Sequence, residues 1–184
     1  QTEQPDPTGA TGYRASPSAQ EFARRTGVEP AQGQVFNFGL VSMLQTNESL
    51  FYGSEVGALG TALRKAGVRR AVIANGDHPE GSDTVAYRRE ATVGLMDGRG
   101  LVDAGRVGKT LLIKDPDAPF GTRYDVDEVA SSFQEFWRDR SVVLVEASDL
   151  VRFEEFRSVA SESQGEELQR RAVAQTDELL GRLL

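Results

Sequence analysis

Two segments of this chain repeat one construction, an amphipathic helix followed after a tight step by a short apolar run. The first, SEVGALGTALRKAGVRRAVIAN (54–75), offers Ser54 as a helix N-cap. Apolar residues follow at Val56, Leu59, Ala62 and Leu63, and Gly67 closes the helix. Arg64 and Lys65 fall in its last turn, where cations suit the helix dipole. VRRAVIAN (68–75) then reads as a buried strand. The second segment runs DVDEVASSFQEFWRDRSVVLVEASD (125–149). Asp125 caps, Glu128 stands three residues on, and Val129, Phe133, Phe136 and Trp137 make a stripe that reads as core. SVVLVEASD (141–149) supplies the second strand. A helix leading straight into a buried strand, twice over, predicts an α/β fold with a largely parallel sheet flanked by helices.

In such sheets ligands bind beyond the carboxyl ends of the strands. The first strand runs into Asn75, Asp77 and His78, the only histidine of the chain, and the second runs into Asp149. Parallel pairing would bring these groups to one edge, with Glu146 and Arg152 nearby. Asn75, Asp77, His78, Asp149 and Arg152 therefore form the candidate ligand-binding edge. Two carboxylates and an imidazole suit a divalent ion or a shared proton. Against this, loops after strands are polar in any case, because their backbone groups need caps or water. A single histidine also falls short of the sets that zinc hydrolases use. No catalytic residue is assigned and no cofactor is predicted; a divalent metal stays open as the less favoured alternative.

The rest of the chain is organised around these units. Residues 1–17, rich in Pro, Gly, Thr and Ser, read as a flexible N-terminal segment, and 18–184 as a single α/β domain. A short helix is expected over 18–25, a strand over 34–38, and one or two helical turns from residue 40. TVAYRREATVGLMD (84–97) reads equally as strand or helix, and MDGRGLVD (96–103) as a turn. A long amphipathic helix covers 161–184.

Several function classes are excluded or weakened. The net charge of −7 argues against binding to a nucleic-acid backbone. Cysteine is absent, which removes thiolate metal sites and thiol nucleophiles. The acids around 97–103 lack the spacing of a calcium loop, and the glycines of GSEVGALG (53–60) follow no strand, so close packing explains them better than a dinucleotide. No phosphate-binding GxxxxGK[ST] and no GxSxG occur. The Asn47-Glu48-Ser49 glycosylation pattern is too common to carry weight. No apolar run is long enough to span a bilayer. The chain opens on Gln1, which reads as a piece of a longer protein with room for a targeting or membrane segment outside it.

Taken together, NESLFYGSEVGALGTALRKAGVRRAVIAN (47–75), REATVGLMDGRGLVDAG (89–105), DPDAPFGTRYDVDEV (115–129), VVLVEASDLVRFEEF (142–156) and GYRAS (12–16) resemble the extracytoplasmic region of uncharacterised actinobacterial membrane proteins with an alkaline-phosphatase-superfamily-like core. The resemblance covers about residues 12–184. It implies an alkaline-phosphatase-like core, truncated if the first strand lies upstream of Gln1. By position it makes Asp149 the match for a strand-end acid that ligates metal in the superfamily. Metal-dependent members need several His and Asp ligands and a Ser, Thr or Asp nucleophile near the first strand, a set that this chain does not offer. The resemblance thus implies a metal-poor or degenerate domain outside the membrane, tethered to it in the full-length protein. Its expected role is binding or accessory, with an envelope component or a protein as partner. An active phosphoester or sulfoester hydrolase completed by sequence outside the chain, and an unrelated α/β ligand-binding module, are the alternatives.

Overall fold

A computed structural model describes residues 17–51, 53–81 and 84–184. GYRAS and nearly all of the expected N-terminal segment lie outside the described residues. In chain order the elements are α1 (Pro17–Thr26), β1 (Val35–Phe36), α2 (Leu40–Glu48), α3 (Ala58–Lys65), β2 (Arg69–Ile73), β3 (His78–Pro79), β4 (Val85–Ala86), β5 (Leu101–Val102) and β6 (Ala104–Arg106). Then follow β7 (Leu112–Lys114), β8 (Thr122–Tyr124), α4 (Val126–Phe136), β9 (Ser141–Val145), α5 (Ser148–Phe156) and α6 (Glu162–Leu183).

The fold is mixed α/β, with a small parallel sheet between helices. Its strand order is β6-β2-β9, and both pairings are parallel. Arg69 stands opposite Ser141 and Ile73 opposite Val145, so the two strands expected from sequence are direct neighbours. The remaining strands form separate antiparallel pairs, β1-β5, β3-β4 and β7-β8. The parallel part is thus smaller than "largely parallel" implies, because between β2 and α4 only β6 crosses over to lie parallel to β2, while β3-β4 and β7-β8 fold back as short antiparallel pairs.

β2 is central and buried on both faces. Ala71 and Ile73 join Val129 and Phe136 of α4 and Leu179 of α6 in one core. Val72 and Ala74 join Val35, Leu40, Leu95 and Met96 in a second core on the opposite face. This two-sided burial is why the strand reads as a continuous apolar run. Arg70 interrupts the run and is fully buried. Its guanidinium donates to both Asp103 oxygens, at 2.6 and 3.0 Å, and to the carbonyls of Gly60, Leu95 and Leu101. One charged side chain thereby ties the sheet to α3 and to the loop before β5.

Helix termini follow local chemistry. α3 ends in a Schellman arrangement: Val68 N–H donates to Leu63 O at 2.9 Å and Gly67 N–H to Arg64 O at 3.0 Å, with Gly67 at φ 67°. Asp125 caps α4 by accepting from Glu128 N–H at 3.2 Å. Four expectations need correction. α3 starts after Gly57, not at Ser54, because Gly57 and Gly60 lie against the backbone of Met96 to Gly98, where a Cβ would collide. The segment 84–97 is neither one strand nor one helix; it holds β4 and a short 3-10 turn, Glu90–Gly94. Trp137 is not core, being 55% exposed at the C-terminus of α4. Asp149 sits in the first turn of α5, a helix that the strand-based reading missed.

Candidate functional site

The carboxyl ends of β2 and β9 do share one edge. Glu146 N–H continues the ladder by donating to Ile73 O at 3.0 Å. Beyond it the chain of β2 enters a fully buried turn at Asn75, whose polar groups are all engaged. Its amide N–H donates to Tyr124 Oη at 2.8 Å and Ser148 Oγ at 3.2 Å. Its Nδ2 donates to Val107 O and Gly108 O at 3.0 and 2.9 Å, and its Oδ1 accepts from Asp77 N–H at 2.9 Å. Asn75 is a junction between the sheet, the loop after β6 and α5.

The two candidate carboxylates each face a buried guanidinium. Asp77 takes Arg89 Nε at 3.0 and 3.1 Å and Nη2 at 2.5 Å, with Arg88 N–H on Oδ1 at 3.0 Å. Asp149 takes Arg152 Nη2 at 2.6 Å and Tyr124 N–H at 3.0 Å, both on Oδ1. Arg152 is fully buried; its Nη1 donates to Asn75 O at 2.6 Å, and its Cζ lies 5.2 Å from the Tyr124 ring centre. Its Nε has no hydrogen-bond partner among the described residues. Arginine presents a rigid fork of donors that matches a carboxylate, and Arg89 uses it on both Asp77 oxygens, whereas Arg152 spends one terminal nitrogen on Asp149 and the other on Asn75.

His78 is held differently. Its Nδ1 lies 3.3 Å from Gly76 O; a carbonyl only accepts, so this nitrogen carries the proton. The ring stacks on Phe120 at 4.1 Å and 18°. Phe120 adopts a left-handed backbone, φ 57°, and also packs edge-to-face with Phe156 at 5.0 Å. A non-glycine residue in that region is uncommon, and here it turns the ring onto the histidine.

A second polar chain crosses the edge. Tyr124 and Ser148 oxygens are 2.6 Å apart, and Ser148 Oγ donates to Glu146 Oε2 at 2.5 Å. With that proton committed, Tyr124 O–H must donate to Ser148. Burial pushes Tyr124 well above its ordinary pKa. It also pushes Glu146 up; the Ser148 hydrogen bond opposes this and the Glu90 charge adds to it. A serine donating to a carboxylate resembles an activated nucleophile. Yet Ser148 is fully buried, and its oxygen already accepts from Tyr124 and Asn75. Its burial, not its hydrogen-bonding, is what keeps the oxygen from a substrate in this structure.

The structure therefore brings Asn75, Asp149 and Arg152 into one bonded cluster, with Asp77 joined to it through Asn75 and His78 beside it. Among the described residues, no three His, Asp or Glu side chains converge as a metal ion would require. The carboxylates turn to arginines instead, an arrangement that does not fit the several-ligand set of the metal-dependent phosphatases. Arg89, Tyr124 and Ser148 were not foreseen. A Ser-Asp pair ahead of Leu150, Val151, Phe153 and Phe156 is a helix-start signal that reveals α5 and with it the partners of Asp149. Comparison with models of protein families, with curated proteins and with solved structures finds no match to this chain.

Proposed function

We propose that this is a metal-poor, degenerate alkaline-phosphatase-like domain that acts outside the membrane in a binding or accessory role, with an envelope component or a protein as partner. The motif resemblance supports the family and the location, and a parallel β2-β9 pair ending in a polar edge is compatible with such a core. The observation that carries the non-catalytic half is the commitment of Asp77 to Arg89 and of Asp149 to Arg152. A metal ligand or general base needs a carboxylate free to face the site, whereas each of these carboxylates is paired with a buried cation. Tethering to the membrane belongs to sequence outside the chain; no helix among the described residues is long and apolar enough to cross a membrane.

Turnover of p-nitrophenyl phosphate and p-nitrophenyl sulfate, with zinc, manganese or calcium supplied, tests the reading. The expected rate is that of buffer alone, for the wild type and for Asp149→Asn. Metal-dependent turnover that Asp149→Asn abolishes would instead favour an active hydrolase.

A further inference from the structure

A cleft of about 210 Å³ opens next to the polar edge, between the β3-β4 and β7-β8 pairs. Pro79 and Val85 form part of its wall from one pair, Leu112 and Ile113 from the other. Val85 is 39% exposed, so this wall offers apolar surface to whatever enters. His78, fixed by its stack on Phe120, closes one side.

The charge of the cleft runs against that of the protein. The chain carries −7 overall, but Lys109 and Lys114 line this cleft. Both are exposed, and neither makes a hydrogen bond or ion pair with another described residue. Two of the nearby acids are already paired with arginines. Asp77, which also lines the cleft, is held by Arg89, and Asp115, next to Lys114, is held by Arg123 at 2.7 Å. Two ammonium groups with no hydrogen-bond or ion-pair partner among the described residues thus stand beside an apolar wall.

We propose that this cleft binds a small organic anion, its carboxylate or phosphate head engaged by Lys109 and Lys114 and its short apolar body against Leu112, Ile113 and Val85. An extended polyanion fits poorly, since the negative surface outside the cleft repels it. A neutral apolar molecule would leave the two lysines unused. The inference rests on reading the domain as one that binds, and it names the chemistry of what is bound.

Titration of the isotopically labelled chain with hexyl phosphate, hexanoate, hexan-1-ol and inorganic phosphate, followed by amide chemical shifts, tests it. At least one of the two amphipathic anions should shift the amides of 78–79, 85 and 109–114 more strongly than hexanol or phosphate does. Lys109→Gln and Lys114→Gln should each lower affinity for that anion about tenfold, the value of one charge-assisted contact. Both side chains are exposed and, among the described residues, unpaired, so the variants should melt with the wild type. Hexanol or phosphate binding as well as the anions, shifts confined to other surfaces, or affinity unchanged in the double variant would overturn the site. Release of inorganic phosphate from hexyl phosphate would overturn the non-catalytic reading while leaving the site standing. Absence of binding without hydrolysis would overturn the site alone.

Discussion

Arg152 reaches back one turn along α5 to Asp149, Nη2 to Oδ1 at 2.6 Å, and with its other terminal nitrogen grips the Asn75 carbonyl at the end of β2. The pair joins the helix to the sheet edge and is buried on both sides. Truncating one member leaves the other charged and uncompensated. Asp149→Ala should therefore cost about 3–5 kcal/mol of stability in urea unfolding. Asp149→Asn should cost less, because an amide oxygen still accepts from Tyr124 N–H. Combining Asp149→Ala with Arg152→Leu should recover part of the loss, a coupling that a double-mutant cycle reads directly.

Tyr124→Phe removes the hydroxyl that accepts from Asn75 N–H and donates to Ser148. The ring and its packing stay, so the change isolates the hydrogen bonds. We expect a loss of about 1–3 kcal/mol, since buried partners are left underused. A loss below a few tenths of a kcal/mol would mean that Ser148 alone satisfies Asn75.

Titration behaviour should divide the acids into two groups. Glu146 is raised by burial above its ordinary 4.5, so the folded state holds that proton more tightly than the unfolded chain does. Its contribution is present below 4.5 and is lost as pH rises through the raised value. Glu146→Gln should therefore gain in Tm relative to the wild type as pH climbs above 4.5. Asp103 behaves in the opposite sense. Burial alone would raise it, but the bonds from the Arg70 side chain and backbone outweigh burial and hold it below 3.8. Its stabilisation is present above 3.8 and lost as pH falls through the lowered value, a loss that Asp103→Asn should abolish.

Two glycines should respond in opposite directions to alanine. A Cβ at Gly60 would strike the Met96 carbonyl, which belongs to the backbone and cannot swing aside. Gly60→Ala should destabilise by at least about 1–3 kcal/mol, as overpacking does. Gly165, within α6, has nothing within 4 Å of its Cβ position. Gly165→Ala should stabilise by about 0.5–1 kcal/mol through helix propensity. Thermal unfolding of both variants checks the pair.

The elements that periodicity and punctuation specify are those the sequence discloses. β2 and β9 are apolar runs preceded by capped helices, and their parallel pairing brings Asn75 and Asp149 together as expected. The short hairpins between β2 and α4 were less readable, because two-residue strands such as β3 and β4 carry no period. The structure brings Asn75, Asp149 and Arg152 together at one edge, but the chemistry of that edge was not visible in the sequence. What each carboxylate meets depends in large part on partners distant in sequence: Arg89 lies 12 residues from Asp77, and Tyr124 lies 25 from Asp149, whose arginine, Arg152, stands only three residues on.

The commitment of Asp149 to Arg152 is tested most directly by thermal unfolding of the wild type and Asp149→Asn in EDTA and then in excess zinc, manganese or calcium. The wild-type curves should superimpose, with Asp149→Asn melting lower by the same margin in every condition. A metal held at this edge would stabilise the folded state by about 2.7 kcal/mol at a hundredfold excess over its Kd. A rise of several degrees in wild-type Tm with one of these metals, absent in Asp149→Asn, would contradict the account.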